Sequence, residues 1–214
     1  MERPYILPRI ASPDKPLKIA VLISGSGSGL KALLNYQETP RSHITKLIIS
    51  DNDDAKGLKY GYEKNINTKS IPLPDVSDKK KQRILHEGLI HIELIKSKIE
   101  LIVLSGYMRI LTPSFVTKWK GRIINIHPSL LPDFPGAHAH RDAINEGVKL
   151  SGCTVHLVDS GVDTGMILEQ REVEILPEET IQTLQNKIKK IEHELYPTVL
   201  DSLSEGLYHS KSSG

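Results

Sequence analysis

Residues 99–106, IELIVLSG, constrain the fold more than any other part of this chain. The run is apolar without alternation and ends in glycine, the pattern of a strand buried on both faces in the middle of a parallel sheet. Such a strand needs helices above and below it, because parallel neighbours are joined by crossovers that usually carry a helix. The rest of the chain supplies them, since short apolar runs alternate with longer segments of helical periodicity. The pattern predicts strands over 17–24, 44–50, 68–71, 101–105, 122–126, 153–158 and 166–172. Helices are expected over 30–36, 54–64, 78–97, 141–146 and 178–206. The fold class is therefore α/β, a doubly wound, mostly parallel twisted sheet with helices on both faces.

No internal repeat or long linker divides the chain, so 17–208 reads as one domain. The arm before it, 1–16, holds four prolines, and 209–214 reads as a frayed tail. Lys and Arg total 28 against 26 Asp and Glu, a near balance that gives no ground for a nucleic-acid surface. There is no run of eighteen apolar residues and no signal segment, which points to a cytoplasmic protein with no membrane partner. The single cysteine, Cys153, precludes an intrachain disulfide; within GCTVHLV it reads as a buried, inert thiol. Composition is equally compatible with a monomer and a weak homodimer.

In a doubly wound sheet ligands bind beyond the carboxyl ends of the strands, which directs attention to the loops after Ile23, Ser105, Ile126 and Val158. The first, SGSGSG over 24–29, joins a strand to a helix and offers backbone N–H groups and a positive dipole end to an anion. Leu30 occupies the last glycine position of the dinucleotide fingerprint and no G-K-[ST] follows, so a monophosphate suits it better. A plain flexible turn fits the loop as well. The second, GYMRILTP, sets one cation in an apolar wall, suited to a flat ligand with polar or anionic groups, or simply to core packing with a surface arginine.

The third begins at the end of a strand rich in β-branched residues, RIINIHP over 122–128, which Pro128 stops. Side chains alternate along a strand, so Asn125 and His127 point one way while Ile124 and Ile126 point the other. A donor amide and a titratable ring then converge on one spot, although a cap and a buried histidine would look the same. The fourth loop, DSGVDTG over 159–165, holds two acids that are either turn formers or partners for His127, whose ring a carboxylate would hold and favour in its protonated form. Asp51, Asp53 and Asp54 precede a predicted helix and read as its capping and dipole partners. His138 and His140, even with His127, form no recognised ligand set, and no metal is expected.

Together, ISGSGS, SGYMRIL, NIHPSLLPDFPGAHAHRDA, GCTVHLVDSGVDTGMILEQ and IEHELYP resemble the glycinamide ribonucleotide formyltransferase family, in that family's motif order from Leu17 to about Gly206. The resemblance implies transfer of the formyl group of the co-substrate 10-formyltetrahydrofolate to the amine of 5′-phosphoribosylglycinamide, in purine synthesis. It puts the catalytic residues at Asn125, His127 and Asp163, and the nucleotide phosphate at Gly27, Ser28 and Gly29, the last replacing an asparagine common among relatives. Glu192 matches a contact to the glycinamide substrate. Folate contacts fall on Met108, Arg109, Ile110, Leu111, Asn125, Asp159 and Asp163, with Arg83 near the folate glutamate tail beside the run Lys79, Lys80, Lys81. Two alternatives remain: a formyltetrahydrofolate deformylase, in which water replaces the amine, and a folate- or nucleotide-binding module without turnover. An intact Asn125, His127 and Asp163 set speaks against the second, because binding alone needs no proton-transfer group beside an oxyanion donor.

Overall fold

The computed structural model describes residues 5–209. Seven strands form one sheet: β1 (Leu17–Ile23), β2 (His43–Ser50), β3 (Asn67–Ser70), β4 (Leu101–Leu104), β5 (Ile123–His127), β6 (Leu150–Leu157) and β7 (Ile167–Glu174). Their spatial order is β3-β2-β1-β4-β5-β6-β7, with the first five strands parallel and the last two antiparallel. The helices are α1 (Ser28–Tyr36), α2 (Leu58–Glu63), α3 (Lys79–Lys96), α4 (Pro113–Lys118), α5 (Ala139–Glu146) and α6 (Ile181–Ser204). No described helix is long and apolar enough to cross a membrane.

Strand alternation divides the core in two. Leu17, Ile19, Val21 and Ile23 pack with α1 and α6 on one face, while Ala20 and Leu22 meet α3 and α4 on the other. All four β4 residues are buried, as a central parallel strand requires. The chain reverses its direction of winding between β1 and β4, so the crevice above their carboxyl ends is the topological switch point. Tyr196 on α6 closes that end of the sheet: its hydroxyl is shared between the carbonyls of Leu104 and Ile124 at 2.9 and 3.0 Å.

Several expected boundaries are corrected. A helix, α4, stands where no helix was expected; Thr112 caps it by accepting from Phe115 N–H at 3.3 Å, with Pro113 in its first turn. The second helix starts at Leu58 rather than 54, behind Gly57, with no side-chain cap. Asp51, Asp53 and Asp54 are therefore not its caps: Asp51 pairs with Arg109, and Asp53 accepts from the Ser70 hydroxyl at 2.5 Å. β6 begins three residues early, at Leu150, because β7 pairs with it from Glu174 onward.

Residues 5–16 contain only an isolated bridge, Ser12 to Lys15, and lie against the domain. Ala11 N–H donates to the Ser204 carbonyl, and Arg9 binds Glu100 at 2.7 Å. His209, expected to fray, meets the Pro8 carbonyl at 3.0 Å; the remainder of the expected tail, 210–214, and residues 1–4 of the arm lie outside the described residues.

Candidate active site

The end of β5 carries Asn125 and His127 on one face, with Ile124 and Ile126 packed into the core of the other. His127 is buried, and both its ring nitrogens face oxygen. Nε2 lies 2.8 Å from the Phe134 carbonyl and Nδ1 lies 3.3 Å from Asp163 Oδ2. A carbonyl and a carboxylate only accept, so a ring carrying both protons satisfies the pair. Asn125 Nδ2 sits 3.2 Å from His156 Nε2, the residue opposite it in the antiparallel register. The other ring nitrogen of His156 donates to the Leu157 carbonyl at 3.0 Å.

Asp163 closes the group. Its Oδ2 also accepts from Gly136 N–H at 2.8 Å, and Oδ1 lies 3.5 Å from His156 Nε2. Burial alone would raise its carboxyl pKa, yet the His156 contact, the Gly136 N–H and the His127 ring overcome it and hold the group down at about 2. The carboxylate is ionised across the neutral range. Asp163 reaches this place with φ 55°, in the left-handed region where an aspartate is tolerated better than a branched residue. The other acid of its loop, Asp159, is the turn former: its Oδ1 accepts from Gly161 N–H and the Thr164 hydroxyl.

On one side of this group opens a cavity of about 450 Å³, floored by residues 24–29 and walled by Ser105, His140, Lys189, Glu192 and Tyr196. The glycine loop is fixed at its first residue, with Ser24 N–H donating to the Gly106 carbonyl and Ser24 Oγ accepting from Met108 N–H. Gly27 precedes α1 at φ 67°, and a Cβ there would lie 2.6 Å from Gly57 Cα, so no other residue fits without displacing backbone. The first-turn N–H groups of α1 have no helical acceptor, and Ser28 and Gly29 of that turn line this cavity. Gly27, Ser28, Gly29 and Glu192 all line it. Glu192 is half-buried, and burial pushes its carboxyl up to about 7 against the pull of Lys189.

On the other side lies a cavity of about 370 Å³ that takes in Met108, Arg109, Ile110, Leu111, Asn125, His127, His156, Asp159 and Asp163. Met108 is 71% exposed and Ile110 63%, which leaves an apolar wall uncovered within a site. Arg109, the cation of this wall, is anchored through its Nε to the buried Asp51 at 2.6 Å. Arg83 does not line the cavity; its guanidinium donates to the Ile110 carbonyl at 2.6 Å and so props the wall from outside. The two cavities share Gly106, Met108, Ile126, Pro128 and Ala137, so they are two halves of one cleft.

Sequence reasoning missed His156, whose place beside Asn125 depends on the β5–β6 register, and Phe134, whose carbonyl depends on a φ of 53°. Ser129 next to the histidine is fully buried and donates to the Asp133 carbonyl at 2.5 Å, a structural turn contact. Burial pushes the Cys153 thiol up to about 12, so it stays protonated. Among the described residues no group of three or more His, Cys, Asp or Glu is placed to hold a metal.

Residues 17–200 match the formyl transferase family model. The chain is 36% identical to the phosphoribosylglycinamide formyltransferase of Bacillus subtilis (strain 168) over 87% of its own length and 94% of that protein. It is 41% identical to the trifunctional purine biosynthetic protein adenosine-3 of Chironomus tentans over 88% of this chain, and it spans only 14% of that relative's length. The crystal structure of phosphoribosylglycinamide formyltransferase from Brucella melitensis superimposes with a TM-score of 0.82 at 39% identity, covering 90% of this chain and 97% of that one.

Proposed function

We infer the reaction from one premise: the chain belongs to the formyl transferase family. It acts as a phosphoribosylglycinamide formyltransferase, moving the formyl group of 10-formyltetrahydrofolate to the amine of 5′-phosphoribosylglycinamide. The observation that carries this is the paired cleft. A polar half with a helix N-terminus suits a ribonucleotide phosphate, an apolar half suits a pterin, and Asn125, His127 and Asp163 stand beside their common wall.

The amine attacks the formyl carbon, a C–N bond forms, and the carbonyl oxygen becomes an oxyanion. The Asn125 amide, beside His156, offers this oxygen a preorganised donor, and the His127 ring, set between Phe134 and Asp163, stands next to it as a second polar group. The bond to the folate nitrogen then breaks. The proton lost by the amine ends on that nitrogen, and Asp163, ionised and in contact with both imidazoles, is the group suited to relay it directly or through water. No residue need be acylated, in keeping with the buried Ser129 and the protonated Cys153.

Within this assignment the Glu192 carboxyl receives the glycinamide end of the ribonucleotide, and the Met108–Ile110 wall receives the folate. The test is absorbance of the folate product when the protein meets 10-formyltetrahydrofolate with and without phosphoribosylglycinamide. Tetrahydrofolate formed only with the ribonucleotide is the expected result. Equal product without it would make the protein a deformylase, and tight folate binding without product would make it a binding module.

A further inference from the structure

Gly29 stands in the first turn of α1 and, unlike Gly27, is not in a left-handed conformation. Its backbone would accept a side chain; its neighbour would not. A Cβ on Gly29 would lie 2.5 Å from Ser105 Oγ, far inside contact distance. Ser105 directly follows β4, the strand beside β1, and this adjacency brings its side chain up against the glycine loop. Both residues line the polar half of the cleft. Ser105 N–H is used by the Leu22 carbonyl, but its hydroxyl has no hydrogen-bond partner among the described residues. A hydroxyl therefore fills the volume that any side chain at position 29 would need, next to an N–H group that has no acceptor.

We propose that Ser105 is a phosphate-binding residue, its hydroxyl donating to the phosphate that the 24–29 loop holds through backbone N–H groups. A side chain at position 29 would compete with that hydroxyl for the same space. The assignment rests on the polar half being the ribonucleotide site. A hydroxyl hydrogen rotates to suit its acceptor, and a bond to an ionised oxygen is stronger than one to a neutral group. The pair thus adds to the helix N-terminus a donor that comes from the adjacent strand and approaches from a different direction.

The variant Ser105→Ala should raise the KM for phosphoribosylglycinamide by about tenfold, the effect expected for losing a hydrogen bond to a charged group, with the change carried by KM rather than kcat. It should weaken ribose 5-phosphate by a similar factor in calorimetry without folate. Gly29→Ala, which pushes the hydroxyl aside, should produce a comparable loss. The double variant should be no worse than Ser105→Ala, because the second change then has nothing left to displace. Wild-type affinity for ribose 5-phosphate in Ser105→Ala, or losses that multiply in the double variant, would overturn the proposal while leaving the transferase assignment intact. A wild-type protein that neither binds ribose 5-phosphate nor formylates the ribonucleotide would overturn both.

Discussion

Replacing Asp163 by Asn removes one charge and little else, since asparagine also tolerates the left-handed backbone at this position. The side chain is only 13% exposed, so its interactions are not greatly weakened by solvent. The wild-type carboxyl titrates at about 2 in the folded protein against an ordinary 3.8. A depressed carboxyl stabilises the fold above the unfolded value, and the stabilisation is lost as pH falls towards the folded one. That depression corresponds to about 2 kcal/mol at pH 7, falling to roughly half as much at pH 3. Urea unfolding of wild type and Asp163→Asn at pH 5, 4 and 3 should show the stability gap narrowing by about 1 kcal/mol, in a window below the ordinary histidine range. The same variant should transfer formyl at least about a hundredfold more slowly at pH 7, as expected for losing a charge and a proton relay at a reacting centre. A gap that is flat with pH would show that Asp163 is not held ionised by His156, His127 and Gly136, and the relay would lose its basis.

Three other outcomes follow from the same geometry. Asn125→Ala and His127→Ala should each lower kcat by about a hundred- to a thousandfold in a folded protein, and near wild-type turnover in either would remove it from oxyanion stabilisation. Gly27→Ala forces a side chain onto a left-handed residue and against Gly57, so thermal unfolding should show a loss of roughly 1–3 kcal/mol; an unchanged Tm would contradict the close approach. Glu192 titrates at about 7 when folded, above its ordinary 4.5, so wild type loses stability as pH rises between those values. Glu192→Gln should therefore gain on wild type by about 1–2 kcal/mol from pH 5 to pH 8, after allowance for partial exposure, and an equal gap at both pH values would refute the shift.

Strands with uninterrupted apolar character were legible because burial on both faces leaves a one-dimensional signature, as in Leu101–Leu104. Asn125 and His127 were legible as a pair for a similar reason, since alternation fixes which side chains share a face. Capping was less legible. The acids at 51, 53 and 54 carry the composition of a helix start, but Asp51 binds Arg109 from 58 residues away, and Asp53 binds Ser70. α4 escaped notice because its six residues are too few to establish a period, although Thr112-Pro113 marks its start. His156 could not be found at all without the register of β6 on β5, and an antiparallel pairing inside a mostly parallel sheet leaves no local trace.

The same limit explains how the histidine is held. Among the described residues four other than glycine have positive φ: Asn65, Lys98, Phe134 and Asp163. Two of these four meet His127, one at each ring nitrogen. Phe134 turns its carbonyl onto Nε2, and Asp163 turns its carboxylate onto Nδ1. A left-handed residue costs on the order of 1 kcal/mol or more and persists where surrounding contacts over-determine it. Those contacts are present. The Ser129 hydroxyl pins the Asp133 carbonyl just before Phe134, Thr154 and Gln170 bind the 129–131 backbone from the antiparallel strands, and Gly136 N–H ties the 128–138 loop to Asp163. The antiparallel edge of the sheet is thus more than a cover for β5. It supplies the frame that keeps two strained residues facing one imidazole, so the orientation of the ring is set by backbone geometry before any substrate arrives.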